Sequence, residues 1–287
     1  MRNWIIAGFC LALLGSCSPG AEESDKPVIS VTILPQQYFV EKIGGDLFRV
    51  NVMIPPGASP ATYEPTISQL SELDRSDLYM KIGYLGFELS WMEKIMATNP
   101  AMKLVSLSDN IDLIREENPA HLHGHNHGGI DPHIWMSPLN AKIIATTVYR
   151  ELLLLMPEEK VFLEERHETF QAELDSLHAT ITSMLSSLED RSFMTYHPSL
   201  SYYARDYDLE QIPLEIGGKS PSPTHMKWMT DVGREKGISL IFLQMQLDQK
   251  DAETLAKEIG AEIIQINPLD PDWYSQMLFI TGKLVSD

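Results

Sequence analysis

Leu163-Glu-Glu-Arg-His167-Glu-Thr-Phe170-Gln-Ala-Glu-Leu174-Asp-Ser-Leu177-His178-Ala-Thr-Ile181-Thr-Ser-Met-Leu185 places apolar residues three and four apart, with charged and amide residues between them. That period belongs to an amphipathic helix; a strand would alternate. The same texture, without any strand pattern, fills residues 139–190. Met156-Pro157 divides it. Proline fits a first helical turn, and Glu158-Glu159 suit the positive end of the dipole, so a shorter helix precedes one of about thirty residues. His167 and His178 lie among Glu and Gln and read as solvated helix-face residues.

On either side of this block the texture changes. Residues 28–34, 48–54, 78–82 and 102–107 read as strands, with helical patterns at 36–43, 67–71 and 86–97 between them. A second set of strands is expected at 192–196, 209–212, 238–243 and 262–266. Such alternation predicts α/β layers with parallel sheets. The expected fold class is therefore α/β: two α/β lobes with mostly parallel sheets, residues 28–137 and 191–287, joined by a long rigid connecting helix within a helical spine, 138–190. A spine of this kind limits the lobes to small relative movements. With 287 residues and 44% hydrophobic content the chain can bury one large core or two modest ones. The methionines at apolar positions, such as Met96, Met156, Met184 and Met194, read as core filling.

The N-terminus bears on the compartment. Residues 1–16 carry Arg2 and then an apolar run over 4–14, too short to span a bilayer, which takes about 20 residues. This reads as an export signal. Leu14-Gly15-Ser16-Cys17 resembles the bacterial lipobox, in which the cysteine is lipidated, and residues 17–27 follow as a polar tether. The expectation is a protein exported and lipid-anchored through Cys17 at the bacterial cell envelope, in the periplasm. Cys10 leaves with the signal, so the folded part has neither a disulfide nor a thiolate ligand, and any metal must be held by nitrogen and oxygen.

Four histidines, His121, His123, His125 and His127, alternate in a loop at 121–129 that Asn118-Pro119 and Gly128-Gly129 keep from regular structure. Asp131-Pro132-His133-Ile134-Trp135 follows directly. Imidazole is the commonest side-chain ligand of borderline metals such as Zn²⁺. The net charge of -18 excludes nucleic acid, whose phosphates need a basic face, and favours cations. The sequence has no HExxH pair, no GxSxG elbow and no phosphate-cradling glycine loop, so no enzymatic activity is expected.

The order of signal, lipobox, α/β lobe, His-rich loop, Asp131-Pro132-His133-Ile134-Trp135, long helix, Tyr196-His197-Pro198-Ser199 and second α/β lobe resembles the metal-binding solute-receptor family of bacterial ABC importers, in its zinc and manganese branch. Residues 55–66, 220–223 and 252–261 support the resemblance. It implies a monomer holding one ion between its lobes and delivering it to an ABC transporter permease in the inner membrane. It implies His133 and His197 as metal ligands, one from each half. Two usual ligand positions depart from the family pattern: Ala61 stands at the first histidine, and Asn267, a weak neutral donor, at the last acidic position. Glu64, Asp270, water or the His121 to His127 loop are the expected replacements. Zn²⁺ is expected ahead of Mn²⁺ or Fe²⁺. The alternative is a surface adhesin or metal-storage lipoprotein that displays the His-rich loop without a transport role.

Overall fold

The first strand set folds into a parallel sheet, as its alternation requires. The computed structural model describes residues 26–115, 129–215, 219–247 and 250–286; the signal, Cys17 and the His121 to His127 tract lie outside the described residues. The first lobe contains β1 (Val28–Val31), α1 (Leu34–Gly44), β2 (Arg49–Val52), α2 (Ile67–Leu73), β3 (Leu78–Lys81), α3 (Gly86–Thr98) and β4 (Lys103–Ser106). Then come α4 (Pro138–Leu155) and α5 (Lys160–Leu185). The second lobe contains β5 (Ser192–Thr195), α6 (Ser201–Asp206), β6 (Glu210–Pro213), α7 (Pro223–Glu235), β7 (Leu240–Gln244), α8 (Lys250–Ile259), β8 (Glu262–Ile266) and α9 (Trp273–Leu284).

Both sheets have four strands, in the orders β2-β1-β3-β4 and β6-β5-β7-β8, and every pairing is parallel. The chain steps to one side of its central strand and then to the other. This reversal opens a crevice at the carboxyl ends of the strands, where α/β proteins bind ligands. Side chains lock these ends. Gln36 accepts from the backbone N–H groups of Thr32 and Ile33, 2.9 Å each, and donates to the Met80 carbonyl at 2.7 Å.

The helical block divides at Met156-Pro157 as expected, and adds a reversal of direction. Residues 157–159 make a 3-10 turn, α5 is 26 residues long, and the chain reverses there. α5 runs back along α4, with Gln171 donating to the Lys142 carbonyl at 2.9 Å and His167 stacked on Tyr149 at 4.5 Å. Pro157 predicts the break; no local signal predicts the antiparallel return. His167 and His178 are half-buried rather than solvated, the latter paired with the Tyr207 hydroxyl at 3.1 Å. The stripe Leu163, Phe170, Leu174, Leu177, Ile181 and Leu185 is the face that α5 buries.

One core runs through both sheets and the helical block, from Ile29 and Phe39 through Trp135 and Leu174 to Phe193 and Trp273. A second, smaller cluster, including Met194, Ile212, Leu243 and Leu255, lies in the second lobe. Two indoles fasten the halves: Trp135 donates to the Pro268 carbonyl and Trp273 to the Trp135 carbonyl, both at 2.8 Å. The Tyr202 hydroxyl adds a 2.8 Å bond to the Asp131 carbonyl. Among the described residues no helix is long and apolar enough to cross a membrane.

Candidate metal centre

His133 sits just before a 3-10 turn, Ile134–Met136, in the segment entering α4. Asp131 fixes it twice, accepting from the His133 backbone N–H and from its ring Nδ1, each at 2.8 Å. An ionised carboxylate can only accept, so Nδ1 donates to Asp131 and Nε2 is the ring nitrogen left to serve as a ligand. Burial alone would raise the Asp131 carboxyl. Attraction to His133 and hydrogen bonds from His133 and Ser201 outweigh it and hold the group below the usual carboxylate range.

His197 follows β5. The ladder continues past the strand ends, with Leu214 N–H bonding the Thr195 carbonyl and Glu215 N–H the Tyr196 carbonyl at 2.8 and 2.9 Å. That register sets Glu215 beside His197, and its carboxylate meets Nδ1 at 3.2 Å. Burial pulls the His197 ring below its ordinary value, against the opposing hydrogen bond of Glu215, so the neutral form is the one maintained near neutral pH. The two rings lie edge to face with centroids 5.1 Å apart. Each lobe thus supplies one imidazole whose outer nitrogen is held by a buried carboxylate, the arrangement by which metal-binding histidines are oriented.

The rings line a cleft of about 80 Å³ together with Ser59, Pro60, Ala61, Leu85, Trp135, Gln244 and Gln246. Ala61 faces this cleft, so the position where the resemblance places a histidine belongs to the site and carries no donor. Among the described residues, Glu64, Asn267 and Asp270 do not line the cleft. Glu64 is exposed. Asn267 spends its oxygen on Gln246 Nε2 at 3.1 Å and on the Leu269 N–H at 3.3 Å. Asp270 takes Asn267 Nδ2 at 3.3 Å and the Asp272 N–H at 2.9 Å. Both are held in a turn that caps the entry to α9. Among the described residues no three His, Cys, Asp or Glu side chains are grouped to hold a metal ion. Sequence reading missed Asp131, Glu215 and Gln244 as site residues. Asp131, two residues before His133, was a visible signal; Gln244 lies one residue and Glu215 three residues past an expected strand, and neither gave any other signal.

The profile of the family described as zinc-uptake complex component A (ZnuA), periplasmic, matches residues 29–281. This chain belongs to the ZnuA family. The zinc-binding lipoprotein AdcA of Streptococcus pneumoniae (strain ATCC BAA-255 / R6) is 27% identical over 278 residues, covering 93% of this chain and 54% of AdcA. The chain therefore spans about half the length of that relative. The high-affinity zinc uptake system protein ZnuA of Bacillus subtilis (strain 168) is 28% identical over 289 residues, covering 94% of this chain and 89% of its own. A crystal structure of a ZnuA superposes with a TM-score of 0.84 at 39% identity, over 91% of this chain and 98% of that one.

The paired carboxylates lead to a first expected result. Asp131→Asn and Glu215→Gln each substitute an amide that can donate to Nδ1's position and disturb the ring. Each should weaken zinc binding about 10- to 100-fold, the usual cost of losing such a partner. Competition against a chromophoric zinc chelator measures this; unchanged affinity in both variants would show that the carboxylates do not orient the ligands.

Proposed function

We propose that this protein is an extracytoplasmic receptor that captures one Zn²⁺ through His133 and His197 and delivers it to the permease of an ABC importer. The observation that carries the proposal is the 5.1 Å separation of the two rings. With Zn–N bonds of about 2.0–2.1 Å and ~1.15 Å from nitrogen to ring centre, two imidazoles on one tetrahedral ion have centroids about 5 Å apart. Nitrogen donors favour zinc over manganese, which prefers oxygen. The relatives named for zinc binding and zinc uptake support the same cargo.

The work is capture and release, with no bond made or broken in the cargo. The net charge of -18 draws cations in, the two imidazoles hold one, and docking to the permease releases it. Lipidation at Cys17 would keep the monomer at the membrane surface. An adhesin or metal store would instead bind through the His121 to His127 tract. Deletion of residues 121–129 separates the two: a receptor keeps one tightly bound Zn²⁺ per chain, and loss of all tight binding overturns the receptor reading.

Coordination requires neutral imidazoles, so protons compete with zinc. Because burial holds His197 below its ordinary value, its share of the proton competition should set in only beneath about 6.5. Each ring that must shed a proton adds up to about one log unit of loss per pH unit. Zinc titrations from neutral pH down through the acid range in which the protein stays folded measure the slope; affinity unchanged over that whole range would exclude imidazole ligation.

A further inference from the structure

We infer, resting on the receptor reading above, that the cleft takes its cation as a ternary complex with a small bidentate carboxylate chelator of the α-amino-acid class, whose carboxylate Gln244 receives. Two imidazoles supply half of a tetrahedral shell. The protein wall opposite them has no donor at Ala61, and that wall is fixed. The Phe87 N–H bonds the Pro60 carbonyl at 2.9 Å, and Ala61 N–H meets Ser59 Oγ at 3.3 Å. At Gly86 an added Cβ would lie 3.0 Å from the Ala61 carbonyl oxygen, so the two loops are already in close contact.

The space beside Ala61 suits an organic group better than water. About 80 Å³, at about 10–15 Å³ per water-sized group, holds roughly five to eight such groups. A cation with a chelator of glycine size fills this; a cation with one or two waters does not. Pro60, Ala61, Leu85, Leu247 and Leu269 form much of the lining, and waters against them would find few hydrogen-bond partners in that part of the wall. Methylene groups meet the same walls without loss.

Gln244 ends β7 at this cleft, and its side-chain Nε2 is buried with no hydrogen-bond partner among the described residues. An amide N–H has nothing to offer a cation, whereas a carboxylate oxygen satisfies it, and leaving such a donor unmet costs stability. Gln246, the neighbouring amide, is already committed to Asn267 at 3.1 Å. The chelator's amine nitrogen and one carboxylate oxygen complete the shell; its second carboxylate oxygen accepts from Gln244.

The test loads the full chain with zinc, adds radiolabelled glycine, and separates bound from unbound by gel filtration. One glycine per zinc should be retained, and none without zinc. Ala61→His, which supplies a third imidazole, should bind zinc without glycine and exclude the label. Gln244→Leu should lower label retention at least tenfold, while Gln276→Leu, which removes a buried unpartnered amide outside the cleft, should retain it. Zinc held by the unaltered protein with no label retained overturns the inference and leaves the receptor reading standing. Equal retention in all variants places glycine elsewhere and also overturns it. Absence of zinc from both the unaltered chain and Ala61→His, with or without glycine, overturns the receptor reading itself.

Discussion

His197→Ala should lower zinc affinity by more than about 100-fold, at least about 2.8 kcal/mol, because it removes a ligand itself and so exceeds the usual cost of disturbing a ligand's partner. The ring is only partly enclosed, with 18% of its side chain exposed, so its removal should leave the fold in place. Its counterpart is more deeply set, and either truncation strips a buried carboxylate, Asp131 or Glu215, of its ring partner and adds a stability cost to the binding loss. His197→Ala is therefore the cleaner measurement, by competition titration with circular dichroism as the check on folding. Zinc affinity within threefold of the unaltered protein would remove the two-histidine site. The His133→Ala, His197→Ala double variant should retain no tight site even with residues 121–129 intact.

The second large effect concerns stability. Trp273 is 1% exposed, packs edge-on against Phe39 at 5.2 Å and donates to the Trp135 carbonyl. Truncation to alanine removes a large buried ring and leaves a cavity in the core shared by both lobes, at a cost of about 3–5 kcal/mol. In a protein of this size that corresponds to a fall in Tm on the order of 10 °C. Trp273→Phe should recover most of the packing and lose the indole bond, about 1 kcal/mol. Thermal or urea denaturation distinguishes these outcomes; a Trp273→Ala loss under 1 kcal/mol would mean that the indole does not fasten the halves together.

Much of this fold is legible before any coordinates. Strand β8 coincides with the expected 262–266, and the six apolar residues of α5 named by their spacing are the six it buries. Both patterns are local, set by one face of one element. The reversal at residues 157–159 is not local; it depends on α1 and α9 packing against α5. Helix α9 escaped notice even though Asp272 accepts the Ser275 N–H as an N-cap and Trp273, Met277 and Ile280 recur at helical spacing. At the site, His133 and His197 were picked out by the resemblance, through the stretches Asp131-Pro132-His133-Ile134-Trp135 and Tyr196-His197-Pro198-Ser199. Glu215 is one acidic residue among 40, and only the parallel register of β5 and β6 brings it to a histidine. Asn267 and Asp270 illustrate the reverse case: donors by chemistry, they are consumed by the turn in which they sit.

The unequal division of the apolar interior carries over to how the molecule breathes. Helices α7 and α8 rest mainly on the smaller cluster, through Met229, Ala252, Leu255 and Ala256, while the indoles and the α4–α5 pair belong to the larger. Local opening costs least where the fewest apolar contacts must part. Amide protons of α7 and α8 should exchange with solvent deuterium ahead of those of α1, α4 and α5, and a protease should nick that rim first while the remainder stays intact.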